Sequence, residues 1–379
     1  MESKKVLIIS DCPTDPPIAG NRYCIKENAE LLKVMGYEVY FLYIWSHPSK
    51  EVLSMMREVW GGHLLLFRTS KLQYFLQKVD TKIRVSFRKN FSSLDLYCPW
   101  GICRFVNRLC KDEGIENIII NYIWLSKILK HSIAKNRIIY THDVFSFKNK
   151  KGHSMWFSYT PNREAFALRR ANHILAIQEN EATYYRYLTP GNDVRVVFMT
   201  FPFHPVGSTA QNKSLLFFSG SNEYNIHGIK DFVEKIFPKV TEIWNDAKLI
   251  IGGSISKYLD EYKDNKSIKV VGQVDDPKDF YKLGQVVINP TFEGTGLKVK
   301  TFEAVSYGKV VLVHHHSLEG IFNKDHAPVY ECNSANDYIR KLKEVWSGSY
   351  DFKAQSQKCN TYLSDMDKYI ERMYQQILG

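Results

Sequence analysis

Short apolar runs alternate with stretches of helical spacing along most of the chain. The runs at 6–10, 39–43, 63–67, 118–120, 138–140 and 173–177 have no polar alternation, as expected of strands buried on both faces. Between them, 21–35 sets Ile25, Ala29 and Leu32 on one helix face and stops at Gly36, and 164–172 reads as another helix. Such alternation predicts a parallel sheet with helices on both sides. A break follows at 198–213, with two prolines and then polar residues. The pattern restarts with strands at 215–219, 248–251, 269–271, 286–289 and 310–313 and helices near 228–240, 277–283 and 297–307. From Ala335 onward the chain reads as helical, interrupted around Ser347-Gly348-Ser349.

The expected fold class is therefore α/β, with two doubly wound domains in tandem facing a central cleft. The boundaries read as 1–203, a linker at 204–213, a second domain at 214–360, and a C-terminal helix at 361–379 returning toward the first domain. In such sheets ligands sit beyond the carboxyl ends of the strands.

At that edge of the second domain stands Glu293-Gly294-Thr295-Gly296-Leu297-Lys298-Val299-Lys300, followed at Glu303 by a second acid. A glycine-rich turn opening into a helix offers unpaired N–H groups and the positive end of the helix dipole to a phosphate. Gly294 and Gly296 allow close approach of the backbone. Lys298 and Lys300 add positive charge, and Lys300 and Glu303, three apart, share a helix face. The arrangement suits a diphosphate next to a hydroxyl-rich sugar or ribose. The bland alternative is a structural strand–turn–helix.

The chain has 379 residues, 44% of them apolar, and a formal charge of +11. Much of that charge is local. Ten Lys/Arg lie between Phe67 and Lys111 against Asp80 and Asp95, a net +8, interleaved with Tyr74, Phe75, Phe87, Phe91, Tyr97, Trp100 and Phe105. Read as mostly helical, 68–111 fits an anionic membrane surface; the alternative is a solvated face over an ordinary core. No nucleic-acid-reading motif accompanies the charge. No apolar stretch reaches the roughly 20 residues that span a bilayer, and the run at 6–10 reads as a first strand, not a signal peptide. The seven scattered cysteines fit a reducing cytoplasm. These features predict a cytoplasmic protein, peripheral on the inner face of the membrane.

Several tempting signals carry little. Cys98, Cys103 and Cys110 lack metal spacing. His314-His315-His316, read as strand, cannot all face one ion, although one of them is placed to line the ligand. Asp365-Met366-Asp367 falls in a helical segment and reads as surface. Asp275-Asp276-Pro277 reads as a helix start. No GxGxxG follows 6–10, which disfavours a dinucleotide oxidoreductase.

Over nearly its whole length the chain resembles the two-domain GT-B glycosyltransferases of the retaining, family 4 type. The strongest piece is the 293–304 block followed by Tyr307-Gly308-Lys309-Val310-Val311. The resemblance implies that Gly294, Thr295, Gly296 and Leu297 bind the nucleotide diphosphate, with Gly220 after the domain's first strand also at the donor. It implies that Glu293 sits near the transferred sugar and Glu303 binds ribose. Ala19-Gly20-Asn21-Arg22 resembles the N-terminal glycine loop, with Gly20 at the donor and Arg22 acting on the leaving diphosphate. Tyr140-Thr141-His142-Asp143 resembles the strand end carrying a functional histidine. Ala171-Asn172-His173-Ile174-Leu175-Ala176-Ile177-Gln178 is similar to the strand before the linker.

Two departures stand out. Nine residues separate Glu293 from Glu303, where many members have seven, and Ser219-Gly220-Ser221-Asn222-Glu223-Tyr224-Asn225 lacks the usual Arg and Lys. Lys298 and Lys300 are expected to replace that charge.

The implied activity is retaining sugar transfer, without metal or other cofactor, from a nucleotide-diphosphate donor to a glycan or lipid-linked acceptor in bacterial surface polysaccharide synthesis. Domain closure would bring 11–22 and His142 onto the donor. A nucleotide-sugar epimerase on the same fold and a non-catalytic sugar-binding partner are the alternatives.

Overall fold

The computed structural model describes residues 4–17, 20–45, 49–87, 94–95, 98–146, 159–208, 213–294 and 296–379. It divides into two units, Met1–Thr200 with Tyr369–Gly379, and Phe201–Lys368.

The first unit runs β1 (Lys5–Ser10), α1 (Gly20–Val34), β2 (Glu38–Trp45), α2 (Lys50–Trp60), β3 (Leu64–Arg68), α3 (Lys71–Phe87), α4 (Ile102–Glu113), β4 (Asn117–Asn121), α5 (Lys127–Lys130), β5 (Asn136–Tyr140), α6 (Pro161–Leu168), β6 (His173–Ala176), α7 (Glu179–Leu188) and β7 (Asp193–Val196). Its seven strands lie in the order β3-β2-β1-β4-β5-β6-β7, all parallel. The apolar runs of β1 and β4 are almost completely buried, which explains their lack of polar alternation. The order reverses direction between β1 and β4, so the carboxyl ends of those two strands flank the crevice in which such sheets bind ligands.

The second unit runs β8 (Ser214–Phe218), α8 (Glu223–Asp231), a π-turn (Phe232–Ile236), α9 (Phe237–Ile243), β9 (Lys248–Gly252), β10 (Ile268–Gly272), α10 (Pro277–Tyr281), β11 (Val286–Asn289), α11 (Val299–Ser306), β12 (Val310–Val313), β13 (Val329–Glu331), α12 (Ala335–Val345) and α13 (Phe352–Leu378). Its parallel strands are ordered β10-β9-β8-β11-β12-β13 and switch direction between β8 and β11. The core between sheet and helices holds Leu215, Phe217, Ile251, Val286, Ile288 and Leu312. Asp276 caps α10, accepting from the Lys278 N–H, with Pro277 in the first turn.

The expected linker is only partly independent. His204 N–H donates to Ser306 O at 2.8 Å and Val206 N–H to Tyr307 O at 3.2 Å, so 204–208 lie on the second unit; 209–212 fall outside the described residues. Lys309, fully buried, donates to Val206 O at 2.8 Å and Gly284 O at 2.9 Å, and burial lowers its pKa to about 8. The last helix is one element from Phe352, and its final residues belong to the first unit. There Tyr374 donates to Asn28 Oδ1 at 2.9 Å, Tyr369 packs on Phe198, and Lys4 reaches the Gly379 carbonyl. The described part of 68–111 is helical in α3 and α4, while 88–93 and 96–97 lie outside the described residues.

The carboxyl edge of the second sheet is built tightly. Gly253, just past β9, has φ +95°, and a Cβ there would stand 2.3 Å from the Ser219 carbonyl oxygen. Gly253→Ala therefore combines backbone strain with a backbone clash and is expected to lower stability by about 2–4 kcal/mol in urea titration. Gly191→Ala is expected to stay within about 0.5 kcal/mol, because a Cβ at Gly191 meets nothing within 4 Å. Equal losses from the two substitutions would contradict this packing.

Candidate active site

Each unit gathers the residues singled out above at its own switch point. In the second unit β11 ends at Asn289, and the chain turns through Pro290, Thr291 and Phe292 into the glycine loop. Gly294 has φ +109° and Gly296 φ +81°, conformations that favour glycine. A Cβ on Gly294 would meet the Tyr224 ring at 3.1 Å, whereas one on Gly296 would meet nothing within 4 Å. The first glycine thus packs the loop on α8, and the second faces open space. Thr295 lies outside the described residues. Lys298 stands at the N-cap of α11. The backbone N–H groups of Gly296 and Leu297 donate to no described residue, leaving donors at the positive end of a helix.

Lys300 takes a different place from the one its charge alone predicts. Its ammonium donates to Asn225 Oδ1, to Thr291 Oγ1 at 2.7 Å and to Asn289 Oδ1 at 3.3 Å. All three of its protons are engaged. It therefore lies under the loop as a fastener, with Phe217 beneath it at 5.6 Å. Burial, with Lys298 nearby, lowers its pKa to about 7. Asn225 also donates to Gly220 O at 3.0 Å. Lys300 thus stands against the very segment, 219–225, from which the family's usual Arg and Lys are missing.

The two acids occupy different surroundings. Glu293 is part exposed, with Oε1 3.0 Å from His227 Nδ1 on α8. Glu303, one turn into α11, has no hydrogen bond to its carboxyl group among the described residues, and burial raises its pKa to about 7.

The histidine triplet lies beyond β12, not in it. His314 caps a 3-10 turn over His315–Leu318. The His314 and His315 rings lie 4.2 Å apart, yet the three side chains meet different partners: His314 Nδ1 accepts from the His316 N–H, His315 meets Asn333, and His316 Nε2 reaches Gly294 O at 2.8 Å. Sequence reasoning placed one histidine at the ligand without choosing which; His316 is the one touching the glycine loop. His227 was missed altogether, since only the packing of α8 against the loop brings it to Glu293. Gly228 permits that packing, for a Cβ there would meet the Thr291 Cα at 2.9 Å.

A cavity of about 390 Å³ opens beside the loop, lined by Phe292, His314, Asn333 and Tyr338 among others. Lys298, Lys300 and Glu303 do not line it, so it is a shoulder of the loop and not the phosphate cradle.

In the first unit, Asp11 follows β1, Tyr122 follows β4, and His142 lies two residues past the end of β5. Tyr122 has φ +75°, which is uncommon for a side chain of this size and is a strain often kept at functional sites. Its hydroxyl accepts from Asn21 Nδ2 at 2.7 Å, and its ring stacks on Trp124 at 4.2 Å. Trp124 Nε1 donates to Asp11 Oδ2 at 2.9 Å. Gly20 begins α1, and Arg22, two residues on, donates to Pro16 O at 3.3 Å. Ala19 lies outside the described residues.

The His142 ring sits between Tyr122 at 4.7 Å and Tyr140 at 4.9 Å. Its Nε2 pairs with Asn121 Oδ1 at 2.9 Å, while Nδ1 is buried and has no hydrogen-bond partner among the described residues. Since Asn121 Oδ1 accepts, the ring carries its proton on Nε2. Burial drops its pKa to about 3, so the ring is neutral at ordinary pH. Tyr122 and Trp124 belong to no motif, and only the φ angle of Tyr122 marks them.

Among the described residues, no group of three His, Cys, Asp or Glu is placed to hold a metal ion. Of the Asp365-Met366-Asp367 segment, expected at the surface, only Asp365 is exposed, pairing with Lys368; Met366 is fully buried on the inner side of α13. No described helix is long and apolar enough to cross a membrane.

Residues 212–347, which contain this loop, match the family described as "Glycosyl transferases group 1". The sequence matches no curated protein. Several solved structures share the fold at low identity. TarM of S. aureus superposes with a TM-score of 0.69 at 10% identity, over 99% of each chain. HepE of Anabaena, solved with UDP and glucose, gives 0.62 at 11% identity, over 99% of this chain and 100% of that one. The pneumococcal O-GlcNAc transferase GtfA, solved with UDP and GlcNAc, gives 0.63 at 8% identity over all of both chains. With two parallel doubly wound sheets the chain has the two-domain fold of these glycosyltransferases, and its segment 212–347 matches the group 1 glycosyl transferase family.

Proposed function

We propose that the chain transfers a sugar, with retention, from a nucleoside diphosphate to a hydroxyl of a glycan or lipid-linked acceptor in bacterial surface polysaccharide synthesis. The observation that carries the donor assignment is the glycine loop at the β8/β11 switch point. It combines two positive-φ glycines, a helix N-terminus and Lys298. Helix N–H groups and lysine stabilise the charge that develops on a departing diphosphate. HepE and GtfA, which share the fold, were solved with UDP.

In this reading Gly294, Thr295, Gly296 and Leu297 cradle the diphosphate, with Gly220 at its margin. Lys298 contacts it. Lys300 fixes the cradle and adds its field from beneath. Glu293 faces the transferred sugar, and Glu303 holds the ribose diol. A carboxyl group titrating near neutrality can both donate to and accept from hydroxyls. His142 is a positioning residue: its neutral ring supports Tyr122 and Asn121. No protein-held metal is assigned a role.

Thermal shift with UDP-, GDP-, ADP-, dTDP- and CMP-linked sugars tests the donor class, since a ligand that binds the native state raises the melting temperature. One nucleotide series is expected to stabilise the protein. Lys298→Ala is expected to weaken that donor about tenfold or more, as loss of a charge-assisted hydrogen bond does. Absence of any shift would sink the proposal. Release of free epimerised sugar without an acceptor would favour an epimerase.

The donor's dissociation constant should also depend on pH. Lys300 has its free-enzyme pKa lowered to about 7, so it loses its charge as pH rises through that value, and a diphosphate loses attraction. Affinity is expected to fall between pH 6.5 and 8.5, beyond any change in the ligand itself. Glu303 gains its negative charge over the same window, so Lys300→Arg should make the profile shallower and leave the carboxylate's share. A wild-type profile as flat as the variant's would remove Lys300 from donor binding.

Nitrogen NMR of His142 is expected to report a neutral ring, protonated on Nε2, throughout pH 5–8. A titration midpoint near 6.5 would restore an acid–base role to this residue.

A further inference from the structure

Helix α3 presents its apolar side to water. Leu72, Phe75, Leu76, Val79 and Ile83 recur at helical spacing and form one stripe, yet each is between 40% and 66% exposed. The polar Gln77 of the same helix is buried, and its amide donates to the Cys98 carbonyl at 2.7 Å. Among the described side chains of α3, Gln77 is the one that is buried. A contiguous exposed stripe of this kind marks a surface that something else covers.

We infer that α3 docks the protein on an anionic lipid surface. Charge selects this occupant. The sequence of α3 carries Lys71, Lys78, Lys82 and Arg84 against Asp80 alone, within the segment of net +8. A second copy of the chain would set this positive helix against its own like. A lipid interface accepts both features together, burying the stripe at the acyl boundary while the lysines meet the headgroups. Tyr74, half exposed with the Lys78 ammonium 4.6 Å from its ring centre, suits the headgroup level. The inference does not rest on the donor assignment.

Full-length protein is sedimented with phosphatidylcholine vesicles, with and without phosphatidylglycerol, in the absence of donor. Binding is expected only with phosphatidylglycerol and should weaken as salt is raised. Leu72→Glu with Phe75→Glu should lower partitioning at least about tenfold, through lost apolar burial and added negative charge. Both positions are exposed, so circular dichroism and melting temperature should stay unchanged. The inference fails if anionic vesicles at low salt do not bind the protein. It also fails if the double variant binds as well as wild type, or if the stripe mediates concentration-dependent self-association that the same variant abolishes.

Discussion

The ammonium of Lys300 holds together three pieces of chain that the second unit must align. Asn225 comes from the helix after β8, Asn289 and Thr291 from the end of β11, and Lys300 itself from the first turn of α11. Asn289 also donates to Thr301 Oγ1 at 2.8 Å. Together with Tyr224, His227 and His316, which touch the loop itself, this node sets the glycine loop relative to the strand ends. The positive charge is strongly desolvated, and three oxygen acceptors offset that cost. A buried cation so held serves geometry first, and its field reaches the loop above it.

This node reframes the chain's departures from the family it resembles. The segment after β8 has lost the customary basic pair, and the interval between the two acids is longer. Lys300 rises from the helix on the other side of the switch point and engages Asn225 within that depleted segment. The contact joins α11 to that segment across the switch point. There an amide, not a basic residue, receives the ammonium.

Much of the fold was legible because buried parallel strands leave unmistakable apolar runs. Val310 to Val313 or Ile118 to Ile120 could hardly be anything else. Elements with mixed composition were harder. α2, α7 and β7 were not anticipated, since Lys50–Trp60 and Glu179–Leu188 mix apolar and charged positions and β7 alternates with solvent. The glycine loop was legible because a φ above zero needs glycine, and glycine is visible in the sequence. Tyr122 takes the same kind of backbone conformation with a bulky side chain, so nothing in its identity announces it. The inward turn of His142 and the outward turn of the α3 stripe were equally hidden. Spacing tells which residues share a face, but not which way the face looks.

The split of α13 between the two units has a bearing on how the chain is made. The second unit is contiguous and can close as soon as Lys368 has emerged. The first unit has its sheet early but lacks Tyr369 and Tyr374, which pack on Phe198 and Asn28, until residues 369–379 have followed the whole second unit. Domains ordinarily finish in the order of synthesis. Here the amino-terminal half is the last to be completed, and its surface around α1 waits uncovered through the whole elongation of the other half.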